Sequence, residues 1–318
     1  MRAFITGVAG QDGTLLSEAL LAKGWEVIGS KLESETLSSA HPLASEQVKN
    51  VDITDYESVV ATLSAVKPDV VFHLAGISSV GFSIENPDLT VKTNVGGTEN
   101  VLLAVEKISV DIHLVNAAST EIYAESDISI TEESKIGPRN PYAESKAKTV
   151  ELVQAARQRG LKASNAILSN HESPLRGVEF VTGKIANSVA RIHCGLDTKL
   201  ILGNIDVEKN WSAAKDIVEG MIRIAETNFI GDVILANQSS TKLTELIAVA
   251  FESVNISDWE NYIESDSQHK RVSDVKSVQI DPSRAFTELD WRATTTVSEW
   301  MSEMVSFHIE QLKRGTKN

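Results

Sequence analysis

The sequence predicts an α/β protein with a doubly wound parallel sheet and a smaller C-terminal lobe. In the first half of the chain, short apolar runs alternate with segments of helical periodicity, and this alternation weakens after Ser169. Strands that alternate with helices form right-handed crossovers, so the strands lie parallel in one sheet. A length of 318 residues corresponds to about two domains. We therefore expect one domain over residues 1–168 and mainly a second lobe over residues 169–318, with the chain free to cross between them.

The predicted sheet domain begins with a strand, a turn and a helix. Residues 2–6 form a short apolar run that ends in glycines, and leucines and alanines recur at helical spacing over residues 14–23. A second strand is expected at 25–29, before a serine-rich stretch. The remaining strands are predicted at 48–51, 69–74, 112–117 and 163–168, and the helices between them at 59–66, 93–107 and 142–159. This order predicts a Rossmann-like sheet of about six or seven strands.

The second half of the chain alternates less regularly. Helices are predicted at 181–192, 213–224, 243–254 and 297–313, and short strands near Leu200 and Val233. We expect these elements to form a smaller lobe that closes over the edge of the sheet.

The charge balance argues against two classes of partner. The 30 Lys and Arg residues and 44 Asp and Glu residues leave a formal net charge of −14, which disfavours binding to nucleic acid or to an anionic membrane. The single cysteine, Cys194, cannot form an internal disulfide, and no apolar run is long enough for a membrane span or a secretory segment. The sequence therefore predicts a cytoplasmic protein that binds neither nucleic acid nor membrane.

Three glycines stand between the first predicted strand and the first helix. Gly7, Gly10 and Gly13 have the G-x-x-G-x-x-G spacing, which lets the backbone turn tightly and approach a pyrophosphate at a helix N-terminus. The spacing alone also fits an ordinary turn, but its place in a βαβ unit favours a dinucleotide site.

The end of the second strand bears on the choice of cofactor. NAD sites place a carboxylate there, about 20 residues beyond the glycines. Glu33 has this spacing, but the predicted strand stops near Gly29. Ser30 and Lys31 offer a hydroxyl and a cation, which suit a 2′-phosphate, so we expect NADP, with NAD less favoured. Asp52 follows the third strand, where it fits two roles: acceptor for the adenine amino group or N-cap of the next helix.

Tyr142 and Lys146 stand four residues apart in a predicted helix, so both side chains lie on one face. The ammonium group can lower the pKa of the phenol, which could then take a proton from an alcohol while a nicotinamide takes the hydride. The pattern also fits an ordinary surface helix. Ser119 adds weight, because it ends a parallel strand at the carboxyl edge of the sheet, where ligands of such folds bind.

Together, the glycine motif, Ser119, Tyr142 and Lys146 resemble the extended short-chain dehydrogenase/reductases, which include nucleotide-sugar epimerases and dehydratases. The resemblance runs over nearly the whole chain, with landmarks at residues 73–76, 94–98, 141–142 and 289–291. Three longer strings, at 6–13, 170–177 and 202–206, are similar to the GDP-mannose 4,6-dehydratases within this family. In this interpretation residues 1–168 bind the cofactor, and residues 169–318 mainly bind the substrate.

The resemblance implies an internal redox cycle on a nucleotide-diphosphate sugar. Hydride leaves C4 of the hexose, water is eliminated across C5 and C6, and the hydride returns to C6. The elimination needs a group that removes the C5 proton and then protonates the departing 6-hydroxyl. Glu121 follows Ser119 by two residues, where the dehydratases carry a carboxylate, and is implied for this role. Without the resemblance it would be interpreted as a solvated turn residue.

Two alternative functions stay open. An epimerase or 4-ketosugar reductase of the same fold would use Ser119, Tyr142 and Lys146 without needing Glu121. A non-catalytic NADP-binding scaffold belongs to another class, and is kept because a fold alone does not prove activity.

The resemblance also implies contacts to both ligands. Further cofactor contacts are implied for Gln11, Asp12, Ala75, Tyr142, Lys146, His171 and Arg176, and substrate contacts for Thr120, Asn170, Lys184, Lys209, Arg271 and Asp274. His171 also fits a buried, hydrogen-bonded histidine, and Arg271 and Asp274 also fit a solvated charge cluster. No metal site is implied, and the protein is expected to be a homodimer or homotetramer.

The chain departs from the dehydratase pattern at three places. An acidic, serine-rich segment at residues 31–35 replaces an arginine-rich loop. Gly183 stands in place of an arginine, and Lys209 and Ala213 replace an arginine and a histidine. Lysine meets a phosphate as a point charge but cannot form the bidentate fork of arginine. These departures predict a weaker specificity for guanine than the string matches alone imply.

Overall fold

The computed structural model describes residues 1–265 and 279–315, and its strands divide into a large sheet and several short pairs. The strands in chain order are β1 (Arg2–Thr6), β2 (Glu26–Lys31), β3 (Val48–Asn50), β4 (Val70–His73), β5 (His113–Ser119), β6 (Ala163–Leu168), β7 (Asn170–Glu172), β8 (Leu200–Leu202), β9 (Glu208–Lys209), β10 (Trp211–Ala213), β11 (Asp232–Leu235), β12 (Thr241–Lys242) and β13 (Ile263–Ser265).

Seven of these strands form one parallel sheet in the order β11-β6-β5-β4-β1-β2-β3. The chain begins at β1, next to the central strand β4. It builds one side of the sheet outward to β3, and then builds the other side from β4. The crossover between the halves lies next to β1, so the carboxyl ends of β1 and β4 flank the crevice where doubly wound sheets bind ligands. The predicted parallel α/β sheet is confirmed.

The helices cover both faces of the sheet and build the second lobe. In chain order they are α1 (Gln11–Ala22), α2 (Tyr56–Val66), α3 (Val80–Glu85), α4 (Pro87–Val91), α5 (Gly97–Ile108), α6 (Pro141–Gln158), α7 (Val181–His193), α8 (Ala214–Glu226), α9 (Leu243–Glu252), α10 (Ser283–Leu289) and α11 (Val297–Gly315).

Two apolar clusters cover the two faces of the sheet. Side chains of successive strand residues point to opposite faces, and accordingly Ile5 of β1 packs with α1 and α8, whereas Phe4 packs with α2, α5 and α6. Burial on both faces explains why β4, β5 and β6 are continuously buried instead of alternating between buried and exposed positions.

A third apolar cluster forms the core of the second lobe. It joins α7, α9 and α11, and Phe251 and Trp300 are among its fully buried side chains. Three pairs of short strands surround it: β7 with β10, β9 with β12, and β8 with β13. Between β10 and α9, strand β11 returns to the large sheet and pairs with β6, so the chain after residue 169 contributes to both the sheet and the lobe. The predicted strand near Val233 is therefore the last strand of the sheet.

Several element boundaries differ from the sequence expectation. Strand β2 continues through Lys31 instead of stopping near Gly29, because it pairs with β1 on one side and with β3 on the other. Helix α1 already begins at Gln11, inside the glycine motif. The helix predicted at 93–107 begins with a π-helical turn, Lys92–Gly96, before α5. Among the helices that the structure describes, none is long and apolar enough to cross a membrane.

Candidate active site

A cavity of about 1140 Å³ opens at the carboxyl edge of the large sheet. Its lining comes mainly from the segments that follow β1 to β6, and from α7 and the segment 202–211 of the second lobe. A volume of this size exceeds the range of about 300–1,000 Å³ that is usual for one small molecule, which suits two ligands side by side.

The glycine motif forms the floor of one end of this cavity. Gly7 has a φ of +73°, and a Cβ at this position would lie 2.8 Å from the backbone nitrogen of Ala75. A Cβ at Gly13 would lie 2.5 Å from the Gly7 carbonyl oxygen. Gly10 is the N-cap of α1 and has no side chain that could cap the helix. The backbone N–H groups of the first helical turn are therefore left available to a ligand in the cavity. These features fit the pyrophosphate of a dinucleotide.

Beyond the glycines, β2 ends in the residues predicted to select the cofactor. Ser30 is buried, and both Ser30 and Lys31 line the cavity. Lys31 Nζ donates to the Leu32 carbonyl oxygen over 3.0 Å, and a Glu35 carboxylate oxygen accepts from the Leu32 N–H over 2.8 Å. Glu35 also lines the cavity. A cation and a carboxylate therefore flank the same turn, and only the cation was singled out from the sequence.

Asp52 and Ala75 also line this end of the cavity. The Asp52 carboxylate accepts from the Thr54 N–H over 2.9 Å. The N-cap of α2 is Asp55, which accepts from the N–H groups of Glu57 and Ser58. The N-cap alternative for Asp52 is therefore wrong, because the turn at residues 52–55 delays the start of the helix. The predicted contact of Asp52 with adenine stays a prediction.

Ser119, Tyr142 and Lys146 meet at the middle of the cavity. Ser119 is the last residue of β5, and Tyr142 and Lys146 lie on the first turns of α6, which packs against that strand. Lys146 Nζ donates to the Ala117 carbonyl oxygen over 2.7 Å, and the Ser119 side chain is hydrogen-bonded to Tyr142. The structure thus brings together the three side chains that the sequence predicted to act jointly.

The protonation of this group is governed mainly by burial. Burial raises the pKa of Tyr142 to about 12, opposed by the hydrogen bond with Ser119 and reinforced by the Glu121 carboxylate. Burial also lowers the pKa of Lys146 to about 8, and the Asp12 carboxylate opposes this shift. The sequence led us to expect that Lys146 lowers the pKa of the phenol. In this geometry its ammonium group instead donates to a backbone carbonyl, and the effect of burial on the phenol dominates.

Glu121 lines the same cavity, within the short 3₁₀ turn Thr120–Ile122. The Glu121 N–H donates to Ser119 Oγ over 3.2 Å, and a Glu121 carboxylate oxygen lies 3.8 Å from Lys209 Nζ. The Glu121 side chain is 27% exposed, so it is neither sealed in the core nor a freely solvated turn residue. Its carboxylate can reach a ligand held beside Ser119.

Thr120 does not join the described residues that line the cavity, although a substrate contact was predicted for it. The backbone is extended at Ser119, and neighbouring side chains on extended backbone point to opposite sides. The side chain of Ser119 therefore points into the cavity and that of Thr120 points away from it. The 3₁₀ turn that follows directs the side chain of Glu121 back into the cavity. The prediction for Thr120 is not supported by this geometry.

The segment after β6 contributes the opposite wall. His171 Nε2 lies 2.9 Å from an Asp12 carboxylate oxygen, and His171 Nδ1 lies 2.7 Å from the Ser169 carbonyl oxygen. Gln11 Nε2 donates to the His171 carbonyl oxygen over 3.1 Å, and Gln11 Oε1 accepts from Ser173 Oγ over 2.8 Å. The wall is thus fastened to the first turn of α1. His171 is hydrogen-bonded, as one of its two interpretations expects, and it also lines the cavity. Its predicted contact with the cofactor stays a prediction.

A buried carboxylate that the sequence analysis did not single out supports the same wall. Glu172 is 2% exposed and accepts from Thr182 Oγ1 over 2.5 Å. Arg176 Nε lies 3.2 Å from a Glu172 carboxylate oxygen, and the Arg176 guanidinium stacks 3.6 Å from the centre of the Phe180 ring. Glu172 lies within the string 170–177 that carries the family resemblance. It was not singled out because an acidic residue paired with a nearby arginine has no distinctive spacing in the sequence.

The remaining predicted substrate contacts divide into two groups. Asn170, Lys184 and Lys209 line the cavity. Arg271 and Asp274 lie outside the described residues. At Gly183, a Cβ would lie 2.2 Å from the Gly177 carbonyl oxygen, so the side chain missing at this position could not be added without moving the wall.

Comparison with known proteins places the chain among nucleotide-sugar enzymes. Residues 4–304 match the protein family described as GDP-mannose 4,6 dehydratase. The chain is 34% identical to GDP-mannose 4,6 dehydratase 2 of Arabidopsis thaliana, over 98% of this chain and 88% of that protein. It is 32% identical to the GDP-mannose 4,6-dehydratase of Sinorhizobium fredii, over 99% of this chain and 98% of that protein.

Solved structures share the fold. RMD from Pseudomonas aeruginosa, complexed with NADPH, superposes with a TM-score of 0.81 at 25% identity and covers 97% of this chain and 99% of its own. The UDP-glucose 4-epimerase of Thermotoga maritima with UDP-glucose has a TM-score of 0.85 at 22% identity, over 98% of this chain and 100% of its own. At 22% identity, the similarity to the epimerase shows the fold alone.

Proposed function

The chain belongs to the GDP-mannose 4,6-dehydratase family, and we propose that it converts GDP-mannose to GDP-4-keto-6-deoxymannose by internal hydride transfer and loss of water. The observation that carries the proposal is that the Glu121 carboxylate shares one cavity with Ser119, Tyr142 and Lys146. Oxidation at C4 needs the last three side chains, and elimination across C5 and C6 needs an additional acid–base group.

Ser119, Tyr142 and Lys146 would act on the 4-hydroxyl of the hexose. Ser119 and Tyr142 would hold this hydroxyl, and Tyr142 would take its proton. A nicotinamide dinucleotide held over the glycine motif would supply the hydride acceptor for C4 and the hydride donor for C6. With a pKa raised to about 12 by burial, the phenol keeps its proton at neutral pH until a ligand changes its surroundings. Lys146, whose pKa is lowered to about 8, stays mostly protonated near pH 7 and can supply the positive charge that favours the phenolate.

Glu121 acts on the neighbouring carbons. Once C4 is a ketone, the C5 proton is acidic, and a carboxylate two residues from Ser119 can remove it and then deliver it to the departing 6-hydroxyl. Lys209 Nζ lies 3.8 Å from this carboxylate and would help to hold it beside the substrate. The proton that leaves C5 departs with the hydroxyl as water, so Glu121 returns to its starting state. When hydride is returned to C6, C5 regains a proton from solvent, and the proton that Tyr142 took from the 4-hydroxyl is released to solvent, so that one water is lost in total.

For the cofactor we propose NADP. The glycine motif, Asp52 and Ala75 line the half of the cavity that fits a dinucleotide, and Ser30 and Lys31 stand at the end of β2. Asn170, Lys184 and Lys209 line the same cavity and would meet the nucleotide-diphosphate sugar. In this proposal residues 1–168 mainly bind the cofactor and residues 169–318 mainly the substrate, in a homodimer or homotetramer.

Mass spectrometry of the product tests the activity directly. With GDP-mannose and NADP, the purified chain should form a product lighter by one water, and the C5 position should exchange its hydrogen with solvent deuterium. Glu121→Gln should retain NADP binding and C4 oxidation, while exchange at C5 and water loss fall by roughly 10²-fold or more. Glu125→Gln, which removes an exposed carboxylate paired with Arg139, is the matched control and should eliminate at the parent rate.

The same experiment separates the alternatives. An epimerase or 4-ketosugar reductase would release no water and would tolerate Glu121→Gln. A non-catalytic scaffold would bind the cofactor and leave GDP-mannose unchanged. Elimination by Glu121→Gln at the parent rate would remove the reason to choose the dehydratase function.

A further inference from the structure

One ion pair in the cavity wall joins two segments that are far apart in the sequence. Asp12 belongs to the first turn of α1, and His171 belongs to β7. Their side chains are 21% and 14% exposed and meet at 2.9 Å. The other ring nitrogen of His171 lies 2.7 Å from the Ser169 carbonyl oxygen.

The partners of the imidazole fix its protonation state. A backbone carbonyl can only accept a hydrogen bond, and so can an ionised carboxylate. Both ring nitrogens of His171 face acceptors, so both contacts are hydrogen bonds only when the ring carries two protons. Although burial alone acts in the opposite direction, the Asp12 carboxylate and the Ser169 carbonyl raise the pKa of His171 above its ordinary value.

The position of Asp12 gives this pair a consequence for ligand binding. A carboxylate in the first helical turn is stabilised by the helix dipole, but it also faces the space that the glycine motif prepares for a diphosphate. Unpaired, its negative charge would repel that anion. Paired with an imidazolium, it is neutralised, and the N-terminus of α1 is left free to attract phosphate oxygens.

Other charged groups face the pair and do not replace this neutralisation. Arg176 acts electrostatically on both Asp12 and His171, but its guanidinium already pairs with the buried Glu172. Lys146 is influenced by Asp12, yet its ammonium group is committed to the Ala117 carbonyl. The Asp12 carboxylate also raises the pKa of Tyr142, whose phenol is neutral at pH 7.

We propose that Asp12 is a positioning residue that holds His171 as an imidazolium, and that the pair keeps the diphosphate part of the cofactor site competent only while the imidazole is protonated. This inference rests on the proposed function, since it takes the ligand at the glycine motif to be a nicotinamide dinucleotide. Cofactor affinity should then fall as the pH rises through the pKa of His171, by up to about tenfold per pH unit.

Asp12→Asn is the decisive variant, because it has nearly the same shape and removes only the charge. Its amide can donate to Nε2 of a neutral imidazole while Nδ1–H still donates to Ser169, so the contact survives without a proton on both nitrogens. We expect the His171 imidazole to titrate at a lower pH in cofactor-free Asp12→Asn than in the parent, measured by NMR. NADPH affinity of this variant, followed by fluorescence, should be independent of pH over the range where parent affinity falls.

His171→Gln provides the opposite arm. It leaves the Asp12 carboxylate without a cation, so NADPH should bind weakly at every pH. A merely structural role for the pair would instead weaken Asp12→Asn and His171→Gln alike. Asp55→Asn, which alters the N-cap carboxylate of α2 far from this wall, is the control and should keep the parent pH profile.

The outcomes are distinguishable from those of the proposed function. An unchanged His171 titration in Asp12→Asn, or a parent-like pH dependence of its NADPH affinity, would overturn the inference. Should Asp12→Asn fail to fold, a parent-like pH dependence of NADPH binding in His171→Gln would overturn it equally. Absence of NADPH binding by the parent at every pH would count against the proposed function, while the imidazole titration would still decide whether Asp12 holds the ring protonated.

Discussion

The proposed oxidation at C4 requires the hydroxyl of Tyr142. Its pKa is raised to about 12 by burial, so the phenol is a proton donor at rest and becomes a base only in the complete site. Tyr142→Phe keeps the ring and removes the proton acceptor. We expect reduced cofactor to form on addition of GDP-mannose at a rate lower by roughly 10²–10⁴-fold.

Absorbance of the reduced nicotinamide in a single turnover measures this step. Tyr56→Phe, on α2 and stacked under Lys107 instead of lining the cavity, is the matched control and should leave the rate unchanged. A normal rate in Tyr142→Phe would exclude the phenol as the base.

Lys31 and Glu35, near the end of β2, carry opposite charges and should have opposite effects on binding of the 2′-phosphate of NADP. Lys31→Ala should weaken NADP binding by about tenfold, because a charge-assisted contact to the 2′-phosphate is lost, and should leave NAD binding nearly unchanged. Glu35→Gln should strengthen NADP binding, because the carboxylate held by the Leu32 N–H no longer repels the phosphate. Titration of both cofactors with both variants measures the effects, and tighter NAD binding by the parent with an indifferent Lys31→Ala would refute NADP preference.

At the scale of single residues, the sequence predicted groupings of side chains that follow a local pattern, but not contacts between residues that are far apart in the chain. Ser119, Tyr142 and Lys146 could be found because a strand end and a helical four-residue spacing bring them together. The contact between Asp12 and His171 spans 159 positions, and it depends on the order of strands in the sheet. No periodicity reports that order, so the pair could not be predicted.

At the scale of the element, the glycine motif combines a turn with a helix start. A Cβ on Gly13 would lie 2.6 Å from the Cα of Val8 and 2.5 Å from the Gly7 carbonyl oxygen. Both are backbone atoms, so the strain cannot be relieved by rotating a side chain. Gly13→Ala should therefore lower the free energy of unfolding by about 1–3 kcal/mol, measured by chemical denaturation.

Gly96→Ala is the matched control for that substitution. Gly96 also lies in a helical segment, but a Cβ there would have no neighbour within 4 Å. Alanine in a helix is favoured over glycine by about 0.5–1 kcal/mol, so this variant should be neutral or more stable. Equal destabilisation by both substitutions would show that loss of glycine itself, and not the close approach at α1, is responsible.

Element boundaries were predictable where side-chain pattern alone sets them. Strand β6 has the predicted limits, 163–168, because a buried apolar run lies between clear breaks. Helix α1 starts earlier than expected because Gly13 is required for packing and does not break the helix. The π turn at Lys92–Gly96 went unpredicted because it is only five residues long, which is too short for hydrophobic periodicity to distinguish it from an α-helical turn.

At the scale of the whole molecule, buried histidines couple stability to pH. Burial lowers the pKa of His73 to about 3 and that of His113 to about 4, with further lowering from Lys146 and Lys162 respectively. The unfolded chain binds these protons below pH 6.5, whereas the folded chain does not. Their contribution to the free energy of unfolding is therefore complete above pH 6.5 and is lost as the pH falls, by about 1.4 kcal/mol per unit for each histidine.

His113→Gln isolates one of these contributions. His113 Nε2 lies 3.0 Å from Ser164 Oγ, which itself donates to the Phe229 carbonyl oxygen, so a glutamine amide can replace the ring N–H. The unfolding free energy of His113→Gln should fall less steeply than that of the parent between pH 6.5 and about 4. His193→Gln, at an exposed position on α7, should retain the parent slope. Identical slopes for all three proteins would show that His113 titrates normally in the folded state.

The place of β11 in the sheet has a consequence for how the chain acquires its structure during synthesis. This strand pairs with β6, but it is made only after β7 to β10, which belong to the second lobe. A nascent chain that has reached β6 exposes an unpaired strand edge, which is prone to pair with another chain. Closing the sheet also requires a contact of long sequence separation, which slows folding. The last strand of the sheet is thus synthesised late, and the edge of β6 stays open to incorrect pairing until β11 has been made.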